Sequence, residues 1–110
     1  MEIQSRMNSR DKGARGEREF AKELTLLGFE ARRGCQFAGG EDSPDVVGGI
    51  CGTHAEVKRV QKLNIDKAMQ QAIGDCGSNI PYVAHRKNGM PWLITVQLKD
   101  LKAFAEKIND

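Results

Sequence analysis

The stretch SPDVVGGICGTHAEVKRV, residues 43–60, decides how this chain is read. Pro44 and Asp45 open an apolar run, Val46-Val47-Gly48-Gly49-Ile50, and a glycine-containing turn leads into His54-Ala55-Glu56-Val57-Lys58. The pattern predicts two strands, 46–50 and 54–60, joined by a hairpin near Cys51. Side chains alternate across a strand, so Glu56 and Lys58 share one face while Ala55 and Val57 point to the other, into a core. A turn near Cys51 sets Val46 opposite Glu56 and leaves Asp45 diagonal to Glu56, within reach of a shared ion.

Two carboxylates and an ammonium, partly buried at one end of a strand pair, are costly unless they pair or hold a metal. Two hard oxygen ligands fit Mg2+, which takes few protein carboxylates and completes its shell with waters and substrate phosphates. The lysine is placed to hold a metal-bound water or to offset charge developing on a phosphate. Zinc would recruit His or Cys in a compact set, and none is arranged for it here. The plain alternative is a salt bridge among Asp45, Glu56 and Lys58 on an edge strand.

Outward from that stretch, the chain alternates helices and strands. Phe20, Leu24 and Leu27 recur at helical spacing and predict a helix over 12–27 that stops at Gly28. Gly13 and Gly16 in its first turns suggest close approach to another element or a late helix start. Residues 29–33 read as a first strand and 36–43 as a mobile loop. Asn64 is an N-cap for a helix that ends near Gly77, with Ile65, Ala68, Met69, Ala72 and Ile73 as its apolar stripe. Residues 80–85 and 91–96 are two further strands joined at Asn88-Gly89, a strong hairpin signal. A last helix over 99–108 turns Leu101, Phe104, Ala105 and Ile108 inward. The order αβββαββα predicts an α/β fold, one domain over 1–110 with a mixed central sheet flanked by helices, and residues 1–10 flexible.

Composition sets the bounds. At 110 residues, 39% apolar and 29% charged, the chain has the makeup of one globular domain. It contains no run near the roughly 18 apolar residues of a membrane span, and its start has no apolar signal-peptide core, so an intracellular, cytoplasmic location is expected. Cys35, Cys51 and Cys76 form no CxxC pair and are expected to be reduced. Net charge is only +2, but Arg6, Arg10, Lys12, Arg15 and Arg18 crowd the N-terminal stretch, and Arg86, Lys87 and Lys99 lie in a segment without acids, a spread that suits a phosphate backbone.

Ser43-Pro44-Asp45 followed by Glu56-Val57-Lys58 resembles the signature of the PD-(D/E)XK nuclease superfamily, whose restriction-endonuclease-like core has the same element order. Lys12-Gly13-Ala14-Arg15-Gly16-Glu17-Arg18-Glu19-Phe20, with Leu27-Gly28-Phe29, is most similar to the start of the archaeal Holliday junction resolvases and their phage relatives. The resemblance covers roughly residues 10–96 and implies a Mg2+-dependent endodeoxyribonuclease, with Mn2+ able to substitute, that resolves four-way DNA junctions as a homodimer. It implies Glu17, Asp45 and Glu56 as metal ligands and Lys58 as the catalytic lysine. The glycine-rich loop before Pro44 corresponds to a mobile DNA-contacting loop, and Gln36, Gln71, Arg15, Arg86 and Lys87 are the expected DNA contacts. Glu19 competes with Glu17 for the helix position but points elsewhere on the helix. A serine that such resolvases often carry early in that loop is not obvious here, where Cys35, Gln36 and Phe37 stand.

The competing functions are a nuclease of the same fold acting on other DNA structures, in nicking or repair, and a non-catalytic DNA-binding module. His54 shares the Glu56 face by parity, and His85 ends a strand before a basic hairpin; each is either a general base or a polar strand-end residue. Tyr82 and Trp92 are expected in core or dimer packing rather than stacked on bases. The segment 91–110 has no assigned role.

Overall fold

The computed structural model describes residues 9–29 and 50–109, with side chains from Arg15 onward. Helix α1, Ser9–Leu26, lays Phe20, Ala21 and Leu24 into the core. It starts three residues ahead of the expected Lys12, so the glycines do not delay it. A Cβ on Gly16 would lie 3.5 Å from Arg59 Cβ and 3.7 Å from Val57 Cγ1, so the helix does approach the sheet closely there. Gly28, at φ +103°, ends the helix. The Phe29 N–H donates to the Leu24 carbonyl and the Gly28 N–H to the Thr25 carbonyl, a Schellman cap that folds Phe29 back onto the core. Leu27, expected inward, is 75% exposed because it lies in this cap rather than on the apolar stripe.

Strand β1, Thr53–Arg59, runs parallel to β2, Ile80–Arg86, with helix α2, Ile65–Asp75, between them. Asn64 caps α2 by accepting from the Lys67 N–H at 3.0 Å, an interaction worth about 1 kcal/mol. Strand β3, Leu93–Val96, returns antiparallel to β2 through the turn at Asn88-Gly89, where Gly89 takes φ +75°. It begins two residues after the expected Pro91, consistent with proline's inability to donate to a ladder. The described sheet is therefore mixed, in the order β1-β2-β3. A 3-10 turn, Leu98–Asp100, leads into α3, Leu101–Ile108.

The two sheet faces carry separate cores. Ala55, Tyr82 and Ala84 pack with Phe20, Leu24 and Phe104 on the α1 and α3 side. Val83 packs with Ala68, Met69 and Ala72 of α2 on the other. Tyr82 is fully buried between Phe20 and Phe104, and Trp92 lies 5.2 Å from Phe20, ring centre to ring centre, so both aromatics serve the core. Of the four residues expected inward on α3 only Phe104 is buried, against Tyr82; Leu101, Ala105 and Ile108 are exposed. Cys76 is free, but Cys51 is disulfide-bonded, contrary to the expectation of three reduced cysteines, an outcome that sequence spacing alone does not encode.

The predicted strands 29–33 and 46–50, apart from their ends Phe29 and Ile50, and the loop 36–43 lie outside the described residues, as do residues 1–8 of the stretch 1–10 expected to be flexible; its last two residues are helical, because α1 already begins at Ser9. So do Gln36 and Asp45, and with them the 46–56 hairpin pairing. Among the described residues no helix is long and apolar enough to cross a membrane.

Candidate active site

Strand parity sorts the polar side chains as the alternation requires. His54, Glu56 and Lys58 stand on the α2 face of β1, beside Pro81, Val83 and His85 of β2 in parallel register. Lys58 Nζ lies 3.3 Å from Glu56 Oε2, and both side chains are largely covered, at 31% and 14% exposure. An ion pair this sheltered is less screened than a surface one. Asp75, the last residue of α2, completes a cluster: one ligand atom each from His54, Glu56 and Asp75 lie within 4.8 Å of one another. The His54 Nε2 atom is buried with no hydrogen-bond partner among the described residues. His85 sits next to Lys58 in register, and its Nε2 meets Thr95 Oγ1 at 2.9 Å. Burial holds the His85 pKa below its ordinary 6.5, which favours the neutral ring.

On the opposite face Arg59 and Arg86 are register partners, a juxtaposition of like charges that would destabilise the strand pair on its own. Glu19 resolves it. Its Oε1 accepts from Arg59 Nε at 3.0 Å and from Arg86 Nη1 at 2.5 Å. Burial pushes the Glu19 carboxyl up, and hydrogen bonds from Arg86 and Arg59 more than offset that, holding it below its ordinary value. Glu19 is thus a staple from α1 to the ends of both parallel strands. Arg86 also donates to the Met90 carbonyl, which fixes the hairpin base.

The remaining expected contacts are dispersed. Glu17, one position behind Arg18 on α1, is half-buried and makes interactions of its own. Arg15 is exposed on α1 and Gln71 is exposed on α2. Arg86 and Lys87 line a cavity of about 500 Å³ at the carboxyl ends of β1 and β2, together with Gln61, Lys62 and His85. Such ends of parallel strands are where open α/β sheets commonly bind ligands. Sequence reading missed Asp75 altogether. Its only signal was a carboxylate at a helix carboxyl end, where the helix dipole disfavours it.

A metal fits the donor set around Glu56. Glu56 and Asp75 bring two carboxylates close together on a half-covered face, an arrangement that a cation stabilises. The family model described as archaeal Holliday junction resolvase (Hjc) matches residues 8–108 of the chain. Neither a curated protein nor a solved structure matches it. With a mixed α/β sheet carrying Glu56-Val57-Lys58 on its first described strand and a family match along nearly its whole length, the chain belongs to the archaeal Holliday junction resolvase family.

Proposed function

We propose that the protein is a metal-dependent endodeoxyribonuclease that resolves four-way junctions. The observation that carries this reading is the sheltered Lys58–Glu56 pair on one strand face, in a chain matched by the junction resolvase family over 8–108. Glu56 holds the divalent ion, with Glu17 and Asp45 as its expected co-ligands and Mg2+ as the expected ion. When bound, the ion supplies a Lewis acid and lowers the pKa of a bound water. Lys58, whose ammonium already faces the Glu56 carboxylate, stabilises negative charge building on the phosphate being attacked. Thr95 holds the His85 ring beside it. Arg15, Gln36, Gln71 and Lys87 supply DNA contacts, and Arg86 positions the hairpin that carries Lys87.

We assign a second copy of the chain to the apolar surface formed by β3 and the elements after it. Leu93, Ile94, Leu98 and Leu101 are 55%, 42%, 83% and 50% exposed, and β3 is the last strand of the described sheet. Two scissile phosphates related by a two-fold axis call for two active sites, and a two-fold dimer supplies them. This gives the C-terminal segment, otherwise without a role, a function as an interface.

The test is cleavage of a four-way junction, a flap and a linear duplex by purified protein, in Mg2+ and in EDTA. Junction-selective, Mg2+-dependent cutting supports the reading. Equal cutting of all three would make it a nuclease for other DNA structures, and binding without cutting in Mg2+ or Mn2+ would make it a non-catalytic module.

A further inference from the structure

We propose that His54, Glu56 and Asp75 form a site for a first-row transition ion such as Mn2+, Co2+ or Zn2+, with His54 and Asp75 as ligands on the α2 side of Glu56. The site shares Glu56 with the nuclease reading but does not require DNA cleavage. Three observations converge on it. The three ligand atoms lie within 4.8 Å of one another. Cis donors on one ion with bonds of about 2.1 Å sit roughly 3 Å apart, so a modest closure completes a three-ligand face. His54 and Glu56 come from alternate positions of a strand and are already fixed, whereas Asp75 is exposed at a helix end and is free to make that closure.

The second observation is the Nε2 atom of His54, buried and without a partner among the described residues. A buried polar atom without a partner is uncommon in folded proteins, and the ring carrying it already contributes a donor to this cluster. The third is the placement of Asp75. It is a carboxylate in the last turn of α2, which contains no basic residue, and it faces a second carboxylate. The helix dipole and Glu56 both disfavour an anion there, and a divalent cation offsets both. Lys58 occupies Glu56 Oε2, but a carboxylate has a second oxygen to give.

The chemistry of the set selects the ion. Mg2+ takes oxygen ligands and discriminates little in favour of an imidazole, whereas affinity at a mixed nitrogen and oxygen site rises from Mn2+ toward Co2+ and Zn2+. This is a different selectivity from that of an all-carboxylate set.

Calorimetric titration of DNA-free protein with Mn2+ and Zn2+, and the visible spectrum of added Co2+, read the site directly. One transition-ion site per chain is expected, at least tenfold tighter than Mg2+ binding. His54→Ala and Asp75→Asn should each weaken it tenfold or more, and His54→Ala should also abolish the imidazole-dependent part of the Co2+ spectrum. Asp75→Asn changes an exposed helix end and keeps the test valid if His54→Ala does not fold. Transition ions bound no more tightly than Mg2+, or bound equally by wild type and Asp75→Asn, would overturn the inference. A protein that binds Zn2+ through these residues yet never cuts DNA would refute the nuclease reading and leave this one standing.

Discussion

Lys58 and Glu56 face each other across 3.3 Å on one side of a strand whose other side is core. The pair is neither a surface bridge, worth about 0–1 kcal/mol, nor a fully buried one. Glu56 is covered enough for its charge to matter and open enough to be reached by an ion. Removing Lys58 therefore leaves a half-covered carboxylate without its cation. Lys58→Ala is expected to lower kcat by about a hundredfold or more, as for loss of a group stabilising transition-state charge. DNA affinity should change little. Single-turnover kinetics at saturating protein, with binding measured in Ca2+, checks this; lost binding with normal cleavage would make Lys58 a phosphate anchor instead.

Glu19 joins helix α1 to two strand ends that are distant in sequence. Glu19→Gln leaves Arg59 and Arg86 opposed without their counter-charge. The expected cost is about 1 kcal/mol, seen as a melting temperature lower by several degrees. Its folded pKa is depressed, so its stabilisation is present above the ordinary value of 4.5 and is lost as pH falls through the folded value. Thermal melts from pH 3 to pH 7 should show the wild-type slope below pH 4.5 flattened in the variant.

His85 contributes an acid-side slope of its own, at higher pH. Burial lowers its folded pKa from 6.5, so the unfolded chain takes up a proton first as pH falls. Stability should begin to decline below about pH 6.5. His85→Asn should reduce the slope that opens below pH 6.5 while leaving the Glu19 region unchanged.

Gly16 sits in the interior of α1 with room for a methyl group, since its nearest neighbours across the interface would be at 3.5 and 3.7 Å. Gly16→Ala is expected to raise stability by about 0.5–1 kcal/mol through helix propensity and the loss of unfolded-state freedom. Urea denaturation measures it. Destabilisation would mean that α1 and β1 are closer in solution than these contacts allow.

The assigned dimer face makes a separate demand. Leu98→Lys and Ile94→Lys place charge on exposed apolar positions and should leave the fold intact. Sedimentation should report dimer for wild type and monomer for the variants. A wild-type monomer at micromolar concentration contradicts the assignment.

The strand alternation of 54–58, the Asn64 cap, the Gly28 stop and the Asn88-Gly89 hairpin were all legible, because each is a local rule with a local cause. Helix α3 was not. Its apolar residues follow a helical period, yet of the four expected inward only Phe104 is buried, and period alone does not say what a face meets. The Glu19 staple was invisible for a similar reason: it joins residues 40 and 67 positions apart, and no local pattern encodes that proximity. The site was half legible. Glu56 and Lys58 announce themselves by polarity within an apolar strand, whereas Asp75 acquires meaning only once α2 is laid across β1.

Glu56→Gln keeps the shape of the side chain that is proposed to hold the ion for cutting branched DNA and removes its charge. Wild type and variant should be compared on one four-way junction in Mg2+, with binding of the same junction measured in Ca2+. The cleavage rate should fall at least a thousandfold with junction affinity retained. Cleavage at the wild-type rate at ordinary Mg2+ concentration would contradict it.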